Sequence, residues 1–462
     1  MKYEFTHKTD NKRLILIFGG WSTDASFYSD IKVEGWNILV AWGYSDFVFP
    51  DELLNDYHTI VLFAWSLGVY AAARTLPFAK ITTAIAINGT EFPVNDNLGI
   101  PTSIFKGTLD SLSEKNLLKF RKRMSGSHYA EIKHKFPPFE KDSLSKELSY
   151  VFQDSKENTQ SSMASRWNRV YISGNDLIFP SRNQKKAWMN HSSFPEIVFL
   201  KDSHFINLEN LIKTIVPSKE KVSLRFRRAV PTYDSNAHAQ RFIATRLVEL
   251  IAAKFPNLKS ENVLEIGCGT GIFTKLFAER FKPVRSTYID LYPLPVFNLA
   301  PCEKYIAGDA EEWAENESLS AREKYDVVVA ASAIQWFANP GRFFRNVSKL
   351  MKRDGVLAVS TFLPDNVNEL SEVNPFSMFY PPRKSVEEML HPLFKNIFME
   401  EMTIEMNFDS SRETLLHLRN TGVAGETSSP LSFTEILRKI PTTLTYRPLY
   451  IVASGLKENI SS

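Results

Sequence analysis

The run Val263-Leu264-Glu265-Ile266-Gly267-Cys268-Gly269-Thr270-Gly271 admits few folds. An apolar stretch of strand length ends in a glycine, and two more glycines follow at alternate positions. The first part reads as a buried parallel strand. The glycines let the chain turn with φ > 0 and bring bare backbone against a ligand before a helix opens. The spacing is G-x-G-x-G, not the G-x-G-x-x-G of nucleotide-phosphate binders, and no Lys-Ser/Thr follows as in a P-loop.

With Glu265 two residues before the first glycine, the pattern resembles motif I of class I S-adenosylmethionine-dependent methyltransferases. The resemblance implies that Glu265, Gly267, Gly269 and Gly271 hold S-adenosylmethionine as co-substrate. A strand over 286–289 ends in Asp290, a carboxylate able to accept from both ribose hydroxyls. Further on, Gly308-Asp309-Ala310 follows another short strand; in the family this acid meets the adenine amino group and the next residue, Ala310, offers its backbone N–H. The strand over 325–330 leads into Gln335-Trp336, a pair typical of small-molecule carboxyl methyltransferases. A strand over 355–362 and two late strands, near 402–408 and 444–452, are expected to finish the sheet. Phe226-x-x-Ala229-x-x-x-Tyr233-Asp234, followed by Ala239-Gln240 in an amphipathic helix over 237–255, resembles the start of the malonyl-acyl-carrier protein O-methyltransferases of biotin synthesis. Tyr233, Gln335 and Trp336 are candidates to wall the acceptor pocket, with Arg227 or Arg228 as the cation on the acceptor carboxylate. A carboxylate acceptor is already ionised at neutral pH, so no general base is required.

The first half alternates strand and helix, which argues for a second parallel sheet. Apolar strands over 14–18 and 59–63 run into Gly19-Gly20-Trp21 and Ala64-Trp65-Ser66-Leu67-Gly68. Ser66, between a buried strand and a helix, has the setting of a nucleophile elbow, with alanine in place of its first glycine. Such a serine needs a base, an orienting acid and two oxyanion donors. Asp176 and His204 follow in the chain order of α/β-hydrolases, with Asp202 as the rival acid. The N–H groups of Trp21 and Leu67 are the candidate donors. From a strand near Phe105 to Arg169 the chain turns polar and helical, the place where such hydrolases insert a lid. There Lys119, Arg121, Lys122 and Arg123 form a basic cluster, either a solvated face or a landing patch for an acidic partner.

The Phe-Gly-Gly-Trp start, the Trp65-Ser66-Leu67-Gly68 elbow, the Gly-Asn-Asp-x-Ile-Phe-Pro loop and the Ser-His-Phe end resemble the short pimeloyl-carrier-protein methyl ester esterases of biotin synthesis. The expected fold class is α/β in two domains. An N-terminal α/β-hydrolase with a helical lid would occupy 1–217 and a C-terminal class I (Rossmann-like) methyltransferase 218–462, joined at a polar, Pro-marked stretch around Pro217. A chain of 462 residues is long enough for both. The net charge of +3 is too small to argue for nucleic acid. Two cysteines give no disulfide framework and no zinc spacing, so no metal is expected. No apolar run spans a bilayer and the start lacks a signal-peptide core, which makes the cytoplasm the expected place. Together the resemblances imply a bifunctional enzyme with acyl-carrier protein as partner. Its C-terminal half would methylate the carboxyl of a malonyl thioester, and its N-terminal half would hydrolyse a pimeloyl methyl ester. The alternatives are a carboxylesterase joined to a methyltransferase of another small acid, or a hydrolase-like half that only binds.

Overall fold

The computed structural model describes all residues except 163, 217, 293–296, 320–323, 374–377, 423–432 and 459–462. The chain divides into two compact units, Met1–Glu209 and Asn210–Ser462. The expected joint around Pro217 lies beyond that division, and Pro217 itself is outside the described residues.

The first unit is built on strands β1 (Lys2–His7), β2 (Arg13–Phe18), β3 (Asn37–Trp42), β4 (Thr59–Trp65), β5 (Thr83–Ile87), β6 (Arg169–Ser173) and β7 (Glu196–Leu200), in the order β1-β3-β2-β4-β5-β6-β7. All neighbours are parallel except β1, which runs antiparallel to β3. Leu14, Ile15, Leu16, Ile17 and Phe18 are wholly buried, because a parallel strand is covered on both faces. β1 was not expected: Lys2–His7 is half exposed at a sheet edge, so it lacks the apolar run that marks the inner strands. Phe105 corrects another expectation. It lies in a helix, Thr102–Asp110, and its ring faces the interior while its neighbours are exposed. The helices Glu114–Ser125 and Lys141–Glu157 complete this inserted segment between β5 and β6.

The second unit carries β8 (Asn262–Ile266), β9 (Arg285–Asp290), β10 (Cys302–Ala307), β11 (Tyr325–Ala331), β12 (Met351–Phe362), β13 (Phe394–Glu401), β14 (Ile404–Asn407), β15 (Thr443–Tyr446) and β16 (Pro448–Leu456). The main sheet has the order β10-β9-β8-β11-β12-β16-β13, with β16 antiparallel to both its neighbours. The order reverses between β8 and β11, the switch point where doubly wound sheets open a crevice beyond their carboxyl ends. Alternation along the strands sorts side chains to the two faces. Leu264, Ile266, Val328 and Leu357 join one apolar core, and Val263, Val327, Val329 and Ala358 join the other.

One reading of this half is corrected. β14 pairs with β15 in a separate two-stranded sheet, and the strand that completes the main sheet beside β16 is β13, rich in charged residues and half exposed at the edge. The arm before residue 237 is itself a helix, Lys219–Asn236, running through Pro231, where a break would be expected from the lost donor. Ser218 caps it by accepting from the Lys221 N–H.

Candidate active sites

In the first unit, parallel register sets the loops after β2 and β4 side by side, since Phe18 pairs with Ala64. The Gly19–Trp21 loop therefore stands against Ser66. A Cβ on Gly20 would lie 3.3 Å from the Ser66 Cβ, and one on Gly68 would lie 2.2 Å from the Phe18 carbonyl oxygen. Ser66 has φ 60° and ψ −125°, a conformation a non-glycine residue holds only where its surroundings impose it. Here its N–H is tied to the Ile87 carbonyl at 2.9 Å.

Ser66, His204 and Asp176 come together from the ends of β4, β7 and β6. Ser66 Oγ is 2.9 Å from His204 Nε2, and His204 Nδ1 is 2.8 Å from Asp176 Oδ2. All three are buried. Asp176 Oδ1 accepts from the N–H groups of Ile178 and Phe179, and Oδ2 from Gln184 Nε2 at 2.9 Å, which fixes the carboxylate. The Phe179 ring stacks on the imidazole. Asp202, the rival acid, turns away and pairs with His128 at 3.1 Å. Two holding residues escaped sequence reasoning. Asn88 donates to the His204 carbonyl at 2.8 Å and to Ser173 Oγ at 2.9 Å, and the Trp65 indole donates to that same carbonyl at 3.0 Å. Asn88 directly follows the apolar run of β5, and a polar residue there is the one signal that could have marked it.

Leu67 opens the helix Leu67–Thr75, so its N–H has no intrahelical acceptor. Trp21 is buried edge-on against Phe120, and its indole donates to the Leu144 carbonyl. Trp65 and Phe205, the sequence neighbours of Ser66 and His204, line a cavity of mixed character, together with Phe27, Ile31 and Leu208 and the charged Glu131, Lys135 and Glu209. The basic cluster divides. Arg121 turns inward, donating to the Pro137 carbonyl at 2.9 Å and the Ser22 carbonyl at 3.3 Å, whereas Lys122 and Arg123 are exposed on the same helix.

In the second unit a cavity opens at the switch point. Gly267, Gly269 and Gly271 all have positive φ. A Cβ on Gly267 would meet that of Ala333 at 2.4 Å, and one on Gly271 the Phe297 ring at 2.5 Å, whereas one on Gly269 would meet nothing within 4 Å. The first and last glycines thus permit packing, and the middle one faces open space. Asp290 closes this loop, accepting from the Gly269 N–H at 2.9 Å and the Tyr292 N–H at 3.1 Å; burial nevertheless raises its pKa. Glu265, two residues on from Val263 along β8, is on the same sheet face and is buried. Burial pushes its carboxyl up to about 8, opposed by a hydrogen bond from Thr274 Oγ1 at 3.0 Å. Asp309 caps the helix Ala310–Ser318 and pairs with Lys219.

The helix Lys219–Asn236 covers this cavity with one face: Val222, Phe226, Val230 and Tyr233 line it at helical spacing. Its Asp234 accepts from the Thr270 hydroxyl, tying cover to glycine loop. Trp336 lines the cavity edge-on to Phe226; Gln335 does not, and instead donates to the Ser332 carbonyl at 2.6 Å. Arg227 and Arg228 are exposed and outside the cavity wall, Arg227 lying over the Tyr292 ring. Among the described residues there is no cluster of metal-ligating side chains and no helix long and apolar enough to cross a membrane.

Comparison with known proteins adds to this geometry. Residues 1–211 match the family described as pimeloyl-ACP methyl esterase BioG, and residues 235–398 match a methyltransferase domain family. A malonyl-acyl-carrier protein O-methyltransferase of Bacteroides fragilis is 32% identical over 465 residues, covering 96% of this chain and 93% of the relative. One of the same name from Porphyromonas gingivalis is 34% identical over 250 residues, covering 51% of this chain and 95% of its own. The crystal structure of BioG from Haemophilus influenzae is 31% identical, with a TM-score of 0.41, over 45% of this chain and 94% of that one.

Proposed function

The chain belongs to the malonyl-acyl-carrier protein O-methyltransferase family, and we propose that it carries two opposed reactions in the making of the pimeloyl precursor of biotin. Residues 218–462 methylate the free carboxyl of malonyl-acyl-carrier protein. Residues 1–217, read as an α/β-hydrolase with a helical lid, hydrolyse the methyl ester of pimeloyl-acyl-carrier protein to the acid and methanol.

For methyl transfer, the open space over Gly269 and the Asp290 carboxylate beside it fit the adenosine part of S-adenosylmethionine. Asp290 would take the ribose, the Asp309–Ala310 turn the adenine, and Glu265 would face the amino-acid end. The sulfonium supplies an electrophilic methyl group. The chain's own task is to hold a carboxylate oxygen in line with it in a dry cavity, which the helix Lys219–Asn236 covers. The ester hides a charge that apolar tunnels of chain-lengthening enzymes would reject.

For hydrolysis, Ser66 Oγ attacks the ester carbonyl as its proton passes to His204 Nε2. The Trp21 and Leu67 N–H groups receive the oxyanion. His204 returns the proton to the departing methanol, and water then repeats the sequence on the acyl-serine. Asp176 keeps Nδ1 protonated and the ring aimed. The ester made by one half must survive the other until the chain has grown. The apolar part of the mixed wall beside Trp65 and Phe205 is the candidate for such discrimination, since each buried methylene contributes about 0.8 kcal/mol. Lys122 and Arg123 are the candidate contacts for an acidic carrier.

The observation that carries the hydrolytic part is the unbroken Ser66–His204–Asp176 hydrogen-bond chain of 2.9 and 2.8 Å. Its test is mass spectrometry of the methyl ester of pimeloyl-carrier protein after incubation with the full chain: loss of one methyl group supports the reading, and an unchanged mass refutes it. Malonyl-carrier protein with S-adenosylmethionine tests the other part, by gain of one methyl group.

A further inference from the structure

Among the described residues, the wall of the cavity over Gly269 holds one cation, Lys219, and that cation is spoken for. Its Nζ lies 3.0 Å from Glu311 Oε2 and 3.5 Å from Asp309 Oδ1, over the Phe337 ring. Under the methyl-transfer reading two carboxylates must nonetheless enter, the α-carboxylate of the sulfonium donor and the carboxylate of the acceptor. Taking either from water into an apolar wall without a hydrogen-bonding partner is costly.

Among the described residues of the wall, Gln240 carries a buried side-chain atom without a partner. Gln240 lines the cavity from the first turn of the helix His238–Lys254, is 8% exposed, and has an Oε1 sealed from solvent without a hydrogen-bond partner. Buried carboxamides are matched as a rule. With Oε1 sealed away, the Nε2 is the end of this carboxamide left to donate to what fills the cavity. Tyr233 stands across the helix joint at Ala237, whose N–H donates to the Tyr233 carbonyl at 2.8 Å, and lines the same cavity. Burial, and then the carboxylates of Asp234 and Asp290, raise its phenol pKa, so it too is a neutral donor.

We infer that Gln240 is a neutral clamp for a ligand carboxylate, held by its amide N–H. The inference rests on the methyl-transfer reading. A neutral clamp suits the chemistry: a cation on the acceptor would lower the basicity of its oxygen, and with it the nucleophilicity. An amide holds the same oxygen without adding a full charge.

Wild type, Gln240→Met and Gln240→Glu are compared as full chains, by calorimetry with S-adenosylhomocysteine and by the KM for malonyl-carrier protein. Gln240→Met, which keeps length and loses the donors, raises one of the two constants about tenfold or more and leaves the other within about threefold. A raised KM assigns the clamp to the acceptor; a raised Kd assigns it to the donor's α-carboxylate. Gln240→Glu sets charge against charge and raises the same constant further, with recovery toward about pH 4, where a protonated side chain donates again. The inference is overturned if both constants stay near wild type, or if both rise together with a lower melting temperature. It is equally overturned if Gln240→Glu binds more tightly, which would mean that residue 240 faces a cationic group. Should Gln240→Met not fold, Gln240→Asn, which withdraws the amide by one methylene, is read the same way. A wild type that methylates no malonyl-carrier protein sinks the acceptor arm together with the reading beneath it; the homocysteine arm then decides alone.

Discussion

Asn88 is wholly buried with φ 45°, and its amide is fully committed: it donates to the His204 carbonyl and to Ser173 Oγ, and accepts from the Ser173 N–H at 2.7 Å. It holds the turn from which His204 reaches Ser66. Asn88→Ala strands a buried N–H and removes one of two donors to the His204 carbonyl. The expected cost is about 2 kcal/mol of stability, read as a lower melting temperature, with a fall in kcat on a short nitrophenyl ester. Glu265 gives a pH prediction. Its carboxyl titrates near 8 in the folded chain against an ordinary 4.5, so between those values the folded chain binds more protons than the unfolded one. Stability of the ligand-free second unit therefore falls as pH rises through that window. Glu265→Gln should make that dependence shallower; an unchanged dependence of melting temperature on pH would contradict the assignment.

At the scale of elements, the helix Glu114–Ser125 presents two faces with different duties. Inward, Phe120 packs on Trp21, Arg121 braces Ser22, and the Met124 carbonyl accepts from the Phe205 N–H at 3.0 Å. Outward, Lys115, Lys119, Lys122 and Arg123 are exposed. Replacing Lys119, Lys122 and Arg123 by glutamate is expected to raise the KM for a carrier-borne ester about tenfold or more at low salt, less at high salt. A free nitrophenyl ester should be hydrolysed as before. Equal loss on both substrates would place these residues in the catalytic scaffold instead. Sequence could mark this helix as basic but could not tell Arg121 from its neighbours, because which face turns inward depends on partners distant along the chain. The same reason hid Gln184, whose acceptor Asp176 is settled only by packing. The glycine loop and the serine elbow were legible because their geometry is local: a strand, a forced turn and a helix start within ten residues of one another. The edge strands β1 and β13 were illegible for the converse reason, since half-exposed edges carry no continuous apolar run.

At the scale of the molecule, two compact units carry two separate arrangements, one of hydrogen-bonded Ser66, His204 and Asp176, the other a covered cavity over Gly269. As proposed above, these are independent reaction centres on one chain. The measurement that tests this most directly is a crossed assay of two full-length variants, Ser66→Ala and Asp290→Ala, each followed by mass spectrometry on malonyl-carrier protein and on pimeloyl-carrier protein methyl ester. Ser66→Ala should lose ester hydrolysis by a factor on the order of 10⁴ and methylate at the wild-type rate, and Asp290→Ala should do the reverse. Loss of both activities in either variant, or ester hydrolysis that survives without Ser66, would contradict it.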